Sequence, residues 1–244
     1  MPVPGRYLAR RFRRGAATYI FTYIATVQNE IIPIFSNLNA RAKQIADVEY
    51  TRLSAQPARG DCGGDLGSLA EAAQEMGEIF YNTMDALRRT SLTLYAVGLF
   101  HLLEQQLCDL CRDASFGIDP PHDTKLEGLV HWYLTHFRVD IRALPAWQAI
   151  DELRLLANTA KHGSGSSARQ LRKLRPDFFE DPRLRDLVPD MPELYTTTQV
   201  RLPLAGQDLF VSDDIFAAYG AAAFEFITAI AAHFEARADE LFFA

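Results

Sequence analysis

Cysteine is scarce: only Cys62, Cys108 and Cys111 occur among 244 residues. So low and odd a number excludes a disulfide framework and fits a reducing compartment, so a cytoplasmic location is expected. No stretch of about 18 residues is continuously apolar, and no membrane-spanning helix or membrane partner is expected. A net positive charge is missing too. The chain carries 25 basic and 31 acidic residues, net −6, so nucleic-acid binding requires a local basic patch. There is no Walker-type phosphate loop, no dinucleotide glycine fingerprint, and no recognisable Ser-His-Asp arrangement. No carboxylate cluster suits a two-metal reaction. Cys108 and Cys111 lack the further ligands that a zinc site needs, and they read as core residues. Neither a metal nor another cofactor is expected.

What is present is an ordinary globular composition, 48% hydrophobic and 23% charged. The length suits one domain over 1–244. Arg6, Arg10, Arg11, Arg13 and Arg14 precede any acidic residue. They read as a solvated first turn, as an arm for phosphates or an acidic partner, or as part of a transit peptide. Gln28, Asn29 and Glu30 interrupt the following apolar run, and no signal peptide is expected.

Apolar residues at helical spacing predict a helix from about Arg6 to Leu53, kinked or split at Pro33. Residues 55–67 have loop composition. A long proline-free helix is predicted from Ser68 to Ala114, with Ser68 and Glu71 as a capping box. Further helices are expected over Lys125–Phe137, Pro145–His162, Ala168–Leu174 and from Ser212 to about Glu240. Thr196–Leu204 and Leu209–Val211 read as two short strands of a hairpin. The expected fold is all-α, an antiparallel helical bundle. Residues 164–212 form an irregular insertion whose β-hairpin precedes the C-terminal helix.

The chemistry concentrates on the helix ending at His162. Arg154, Asn158 and His162 follow one another at four-residue intervals and share one face, with Asp151 beside them. A guanidinium binds phosphate with paired donors, and an imidazole moves protons near neutral pH. A carboxamide can hold either in place. This set suits phosphodiester cleavage in RNA, with the imidazole acting on the 2′-hydroxyl or the leaving oxygen. An ion pair of Arg154 with Asp151 and internal hydrogen bonding by Asn158 is the other reading. Lys161, Arg169, Arg172, Lys173 and Arg175 form a local basic patch, read either as RNA-binding or as a solvated face balanced by Asp177, Glu180 and Asp181.

The stretch from Glu152 to Gly163, Glu-Leu-Arg-Leu-Leu-Ala-Asn-Thr-Ala-Lys-His-Gly, resembles the signature helix of HEPN-type domains. These are α-helical bundles of bacterial toxin–antitoxin and anti-phage systems. Many are metal-independent ribonucleases whose Arg…His site forms across a dimer. The resemblance implies RNA as substrate, a homodimer, an antitoxin or defence partner, and catalytic roles for Arg154, Asn158 and His162. Seven residues separate Arg154 from His162, a longer spacing than the family's usual one. Catalysis and a non-catalytic protein-interaction module therefore both stay open at this point.

Overall fold

The computed structural model describes residues 3–55, 66–113, 119, 121–201, 204 and 208–242. Most of the loop expected at 55–67 lies outside them, as do Ala114, where the long helix was expected to end, and Cys62.

The predicted first helix is divided. β1 (Val3–Pro4) leads into α1 (Gly5–Arg11), a wider π-turn (Phe12–Ala16), α2 (Ala17–Thr26) and a second π-turn (Val27–Ile31). The break falls at Pro33, within a 3-10 turn (Ile32–Phe35), because proline has no N–H to extend the helix. Ser36 is extended and Asn37 takes a left-handed backbone (φ 55°), which reverses the chain into α3 (Leu38–Ser54). The Arg41 guanidinium donates to the Ile34 carbonyl at 2.7 Å, satisfying an oxygen left over by the break.

α4 (Leu66–Cys111) has 46 residues, roughly 69 Å at 1.5 Å per residue. It begins before Ser68, which lies inside the helix rather than at its cap. Its first half packs against α3 as a two-helix arm. Gly77 permits that contact, since a Cβ there would lie 2.8 Å from the Ala42 carbonyl. From Leu92 onward α4 enters the core with Leu99, Phe100, Leu103 and Leu107.

α5 (Leu126–Trp132) continues into a π-turn (Tyr133–Phe137), matching the predicted Lys125–Phe137 segment. α6 (Trp147–His162) starts two residues later than Pro145. Leu144 to Trp147 form a tight turn, closed by Trp147 N to Leu144 O at 3.3 Å, with left-handed Ala146 (φ 63°) following the proline. Gly163 ends α6 at φ 71° and ψ −146°, a conformation for glycine rather than an L-residue. α7 (Ser166–Leu174), α8 (Pro182–Leu187) and α9 (Pro192–Tyr195) follow. The Ser212 hydroxyl caps α10 (Asp213–Glu235) by accepting from Ile215 N at 3.2 Å.

The fold is all-α, with one two-stranded antiparallel sheet among the described residues. Its strands join the chain ends: Val3 pairs with Phe242, and Pro4 with Leu241 of β2 (Leu241–Phe242). The described residues do not pair Thr196–Leu204 with Leu209–Val211, and the loop expected at 205–207 lies outside them. Their backbone groups go elsewhere: Thr197 N to Phe179 O (2.6 Å), Phe210 N to Phe178 O (2.9 Å) and Leu204 N to Ala160 O (2.7 Å). The segment thus packs around residues 178–181 and the end of α6, with a single bridge between Glu180 and Thr196.

α10 is apolar and long enough to cross a membrane, but half of that stretch is buried against the rest of the fold. It touches α1, α2, α4 and α6. Phe234 stacks on Phe12 at 5.7 Å and meets Phe137 (5.2 Å) and Phe242 (5.4 Å) edge-on, tying α10 to both chain ends. Phe234→Ala is expected to cost about 3–5 kcal/mol, read from urea denaturation. His233, half-buried beside Arg237, has its pKa lowered, chiefly by burial and then by that guanidinium. The unfolded imidazole, with its ordinary value near 6.5, therefore protonates first, and stability falls as pH drops below that value. Between pH 7.5 and pH 5.5, His233→Gln is expected to lose less Tm than the wild type.

Candidate functional site

α6 is amphipathic. Leu153, Leu155, Leu156, Ala157 and Ala160 are buried in the core. Arg154, Asn158 and Lys161 are half-buried along the opposite edge, and His162 is exposed. The predicted Arg–Asn–His ladder therefore does not face a dry interior. All three groups line one open groove of about 410 Å³, together with Lys161. Its far wall is α4, through Phe100, His101 and Glu104. Lys125 and Glu127 also line it, as do Gly163, Gly165, Ser166 and Ser167 at the turn into α7.

Two members of the ladder are free to meet a ligand. Neither Asn158 nor His162 has a side-chain partner among the described residues. Arg154 is engaged: its Nε (2.8 Å) and Nη2 (2.7 Å) both reach Asp151 Oδ1. That leaves the other side of a five-donor guanidinium for the groove. α7 begins at the groove after Gly165 without a side-chain cap, so the amides of its first turn add to the field favouring an anion.

Sequence reasoning missed His101 and Glu104 as site residues. His101 Nδ1 lies 3.2 Å from Glu104 Oε2, while Glu104 Oε1 accepts from Leu126 N at 3.1 Å. The carboxylate holds the imidazole and anchors the start of α5. A histidine followed three positions later by a glutamate on a helix was the available signal. It pointed to the groove only once α4 was known to face α6.

The basic patch divides. Lys161 lines the groove, and Arg169 and Lys173 are exposed on α7, without a charged partner among the described residues. Arg172 instead donates to the carbonyls of Thr197 (2.6 Å) and Thr198 (3.1 Å) and lies over the Phe179 ring. Arg175 forks onto Asp177 (3.0 and 2.7 Å), reaches Glu152 Oε1 at 2.7 Å and lies over the Phe178 ring. The bonds to Asp177 and then Glu152 push its pKa up further. Tyr219 donates to the same Glu152 oxygen at 2.7 Å. Arg172 and Arg175 thus fasten the 175–198 segment to the bundle and are not among the groove's lining residues.

Cys108 and Cys111 are buried, and burial raises the pKa of both thiols. Cys111 Sγ donates to the Leu107 carbonyl. Neither has the exposed, electropositive setting of a reactive thiol. Among the described residues no three His, Cys, Asp or Glu side chains gather as metal ligands.

No family model, curated protein or solved structure matches this chain. The groove's own chemistry therefore carries the functional argument.

The two kinds of cation separate by stability. Arg175→Ala leaves Glu152 and Asp177 without their guanidinium, an expected loss of about 2 kcal/mol. Arg169→Ala is expected to stay within about 0.5 kcal/mol of wild type. Chemical denaturation of both variants checks the difference.

Proposed function

We propose that the groove between α4 and α6 cleaves RNA by internal transesterification. The observation that carries this reading is that both His101 and His162 line it, beside Arg154, Asn158 and Lys161. One neutral imidazole takes the proton of a ribose 2′-hydroxyl while that oxygen attacks the adjacent phosphorus. The other, protonated, gives its proton to the departing 5′-oxygen. The products are a 2′,3′-cyclic phosphate and a 5′-hydroxyl. Arg154 and Lys161 offset the charge on the pentacovalent phosphate, and Asn158 donates to a phosphate oxygen. Glu104 keeps the His101 ring oriented through its contact with Nδ1.

The same reading, through the resemblance of α6 to the HEPN signature helix, makes the protein a cytoplasmic homodimer restrained by an antitoxin or other defence partner. A second reading, a non-catalytic interaction module, draws on one observation: Arg154 is already paired with Asp151. In that case the ladder is structural and the groove is idle.

The test is incubation of purified protein with mixed RNA at several pH values, followed by end-group analysis. His162→Ala and His101→Ala are each expected to slow cleavage by about 10²–10⁴-fold, with a bell-shaped wild-type profile. Equal cleavage by wild type and both variants, or none by wild type, removes the catalytic reading.

A further inference from the structure

A larger groove, about 750 Å³, lies between the first helices and α4, and the cleavage proposal does not use it. Its walls are Tyr7, Arg10, Arg14 and Tyr19 on one side and Gln105 and Gln106 on the other. Arg10 and Arg14 are exposed and have no carboxylate partner among the described residues. The other N-terminal arginines are matched: Arg6 with Asp239, Arg11 with Asp113, and Arg13 with Glu235. In a chain of net charge −6, two unmatched guanidiniums at one groove concentrate positive potential there. The acid on its wall is Asp109.

The chemistry is mixed in a particular way. Tyr7 and Tyr19 are 39% and 61% exposed, so both rings are open to a ligand. They stand twelve residues apart in the chain, roughly 18 Å at 1.5 Å per residue, with the arginines between them. Exposed rings flanking guanidiniums make a platform for successive bases and phosphates. Gln105 and Gln106 add amide donors and acceptors. The π-turn at Phe12–Ala16 lies inside this segment, a distortion common at functional sites.

The groove is also connected. Gln105 follows His101 by one turn of α4, so the two share an exposed ridge. One side of that ridge lines the 750 Å³ groove, and the other lines the groove of His101 and His162.

We propose that the groove of Tyr7, Arg10, Arg14 and Tyr19 binds single-stranded nucleic acid by its phosphates and base faces, and leads the strand over the α4 ridge toward His101. The proposal rests on the RNA-cleavage reading only for the strand's destination. Neither rings nor guanidiniums distinguish ribose from deoxyribose, so binding extends to DNA, which the 2′-hydroxyl reaction cannot cut.

The experiment uses fluorescein-labelled oligo-deoxythymidylate of about 12 nucleotides, with anisotropy read at low and moderate salt. The wild type is expected to bind. The Arg10→Ala/Arg14→Ala variant is expected to bind about tenfold more weakly, with its log–log salt slope reduced by about 1.4. Tyr7→Ala/Tyr19→Ala is expected to lose about tenfold with the slope unchanged. The control Arg6→Ala/Arg13→Ala removes the same charge elsewhere and is expected to bind like wild type. Absence of wild-type binding overturns the proposal, as does equal loss in the control and the Arg10/Arg14 variant. The same set is then given RNA. Selective oligonucleotide binding without RNA cleavage leaves the groove standing and ends the nuclease reading. Cleavage with no selective binding does the reverse.

Discussion

Burial of the α10 side chains constrains everything else. Phe216, Phe226, Ile227, Ile230 and Phe234 are completely enclosed, and covering them takes α1, α2, α4 and α6 together. Each of those helices offers one apolar face to α10 or to a neighbour in contact with it. That leaves their polar edges outward, and the outward edges of α4 and α6 form the groove of His101 and His162. The site is a by-product of core packing: neither helix could rotate toward the other without exposing leucines. Joining the chain ends belongs to the same constraint. Gly5 lies so close to the end of α10 that a Cβ would sit 2.2 Å from the Arg237 carbonyl, and β1 and β2 meet beside Phe234.

Charge plays a different part nearer the start of α4. Arg89 lies 3.3 Å from both Asp85 and Asp181, and Arg183 lies 2.8 Å from Asp85. This partly buried network fastens the start of α8 to the arm. Glu152, Arg175 and Tyr219 do the same between α6, the 175–177 turn and α10. Much of the chain's arginine thus holds irregular backbone in place where hydrophobic periodicity is weak. Cations without a charged partner among the described residues include Lys125 and Lys161 at one groove and Arg10 and Arg14 at the other, and these are available to an anion.

Helical periodicity, proline and glycine were enough to read the longer helices, whereas the short α8 and α9 fall in a stretch read as irregular. The break at Pro33, the end of α6 at Gly163 and the Ser212 cap follow from local backbone chemistry, so they were visible in one dimension. The stripe of Arg154, Asn158 and His162 was legible for the same reason, because residues four apart share a helix face. The helix start expected at Pro145 moved because proline is equally at home in a turn, and left-handed Ala146 settles that choice. The expected strands at 196–211 have β-branched residues, but their backbone groups find partners at 178–181, Ala160 and Ser164, which lie close only in the folded chain.

The sequence alone therefore determined the all-α class, the spans of α4, α6, α7 and α10 to within a few residues, and the edge of α6 that carries polar groups. Those properties depend on neighbours within about one turn. Only the tertiary structure decided that His101 and Glu104 stand across from that edge, that Arg172 and Arg175 are fasteners, and that Arg10 and Arg14 line a groove with Gln105. Those facts depend on which helices pack side by side, a matter of shape and volume between residues far apart in the chain.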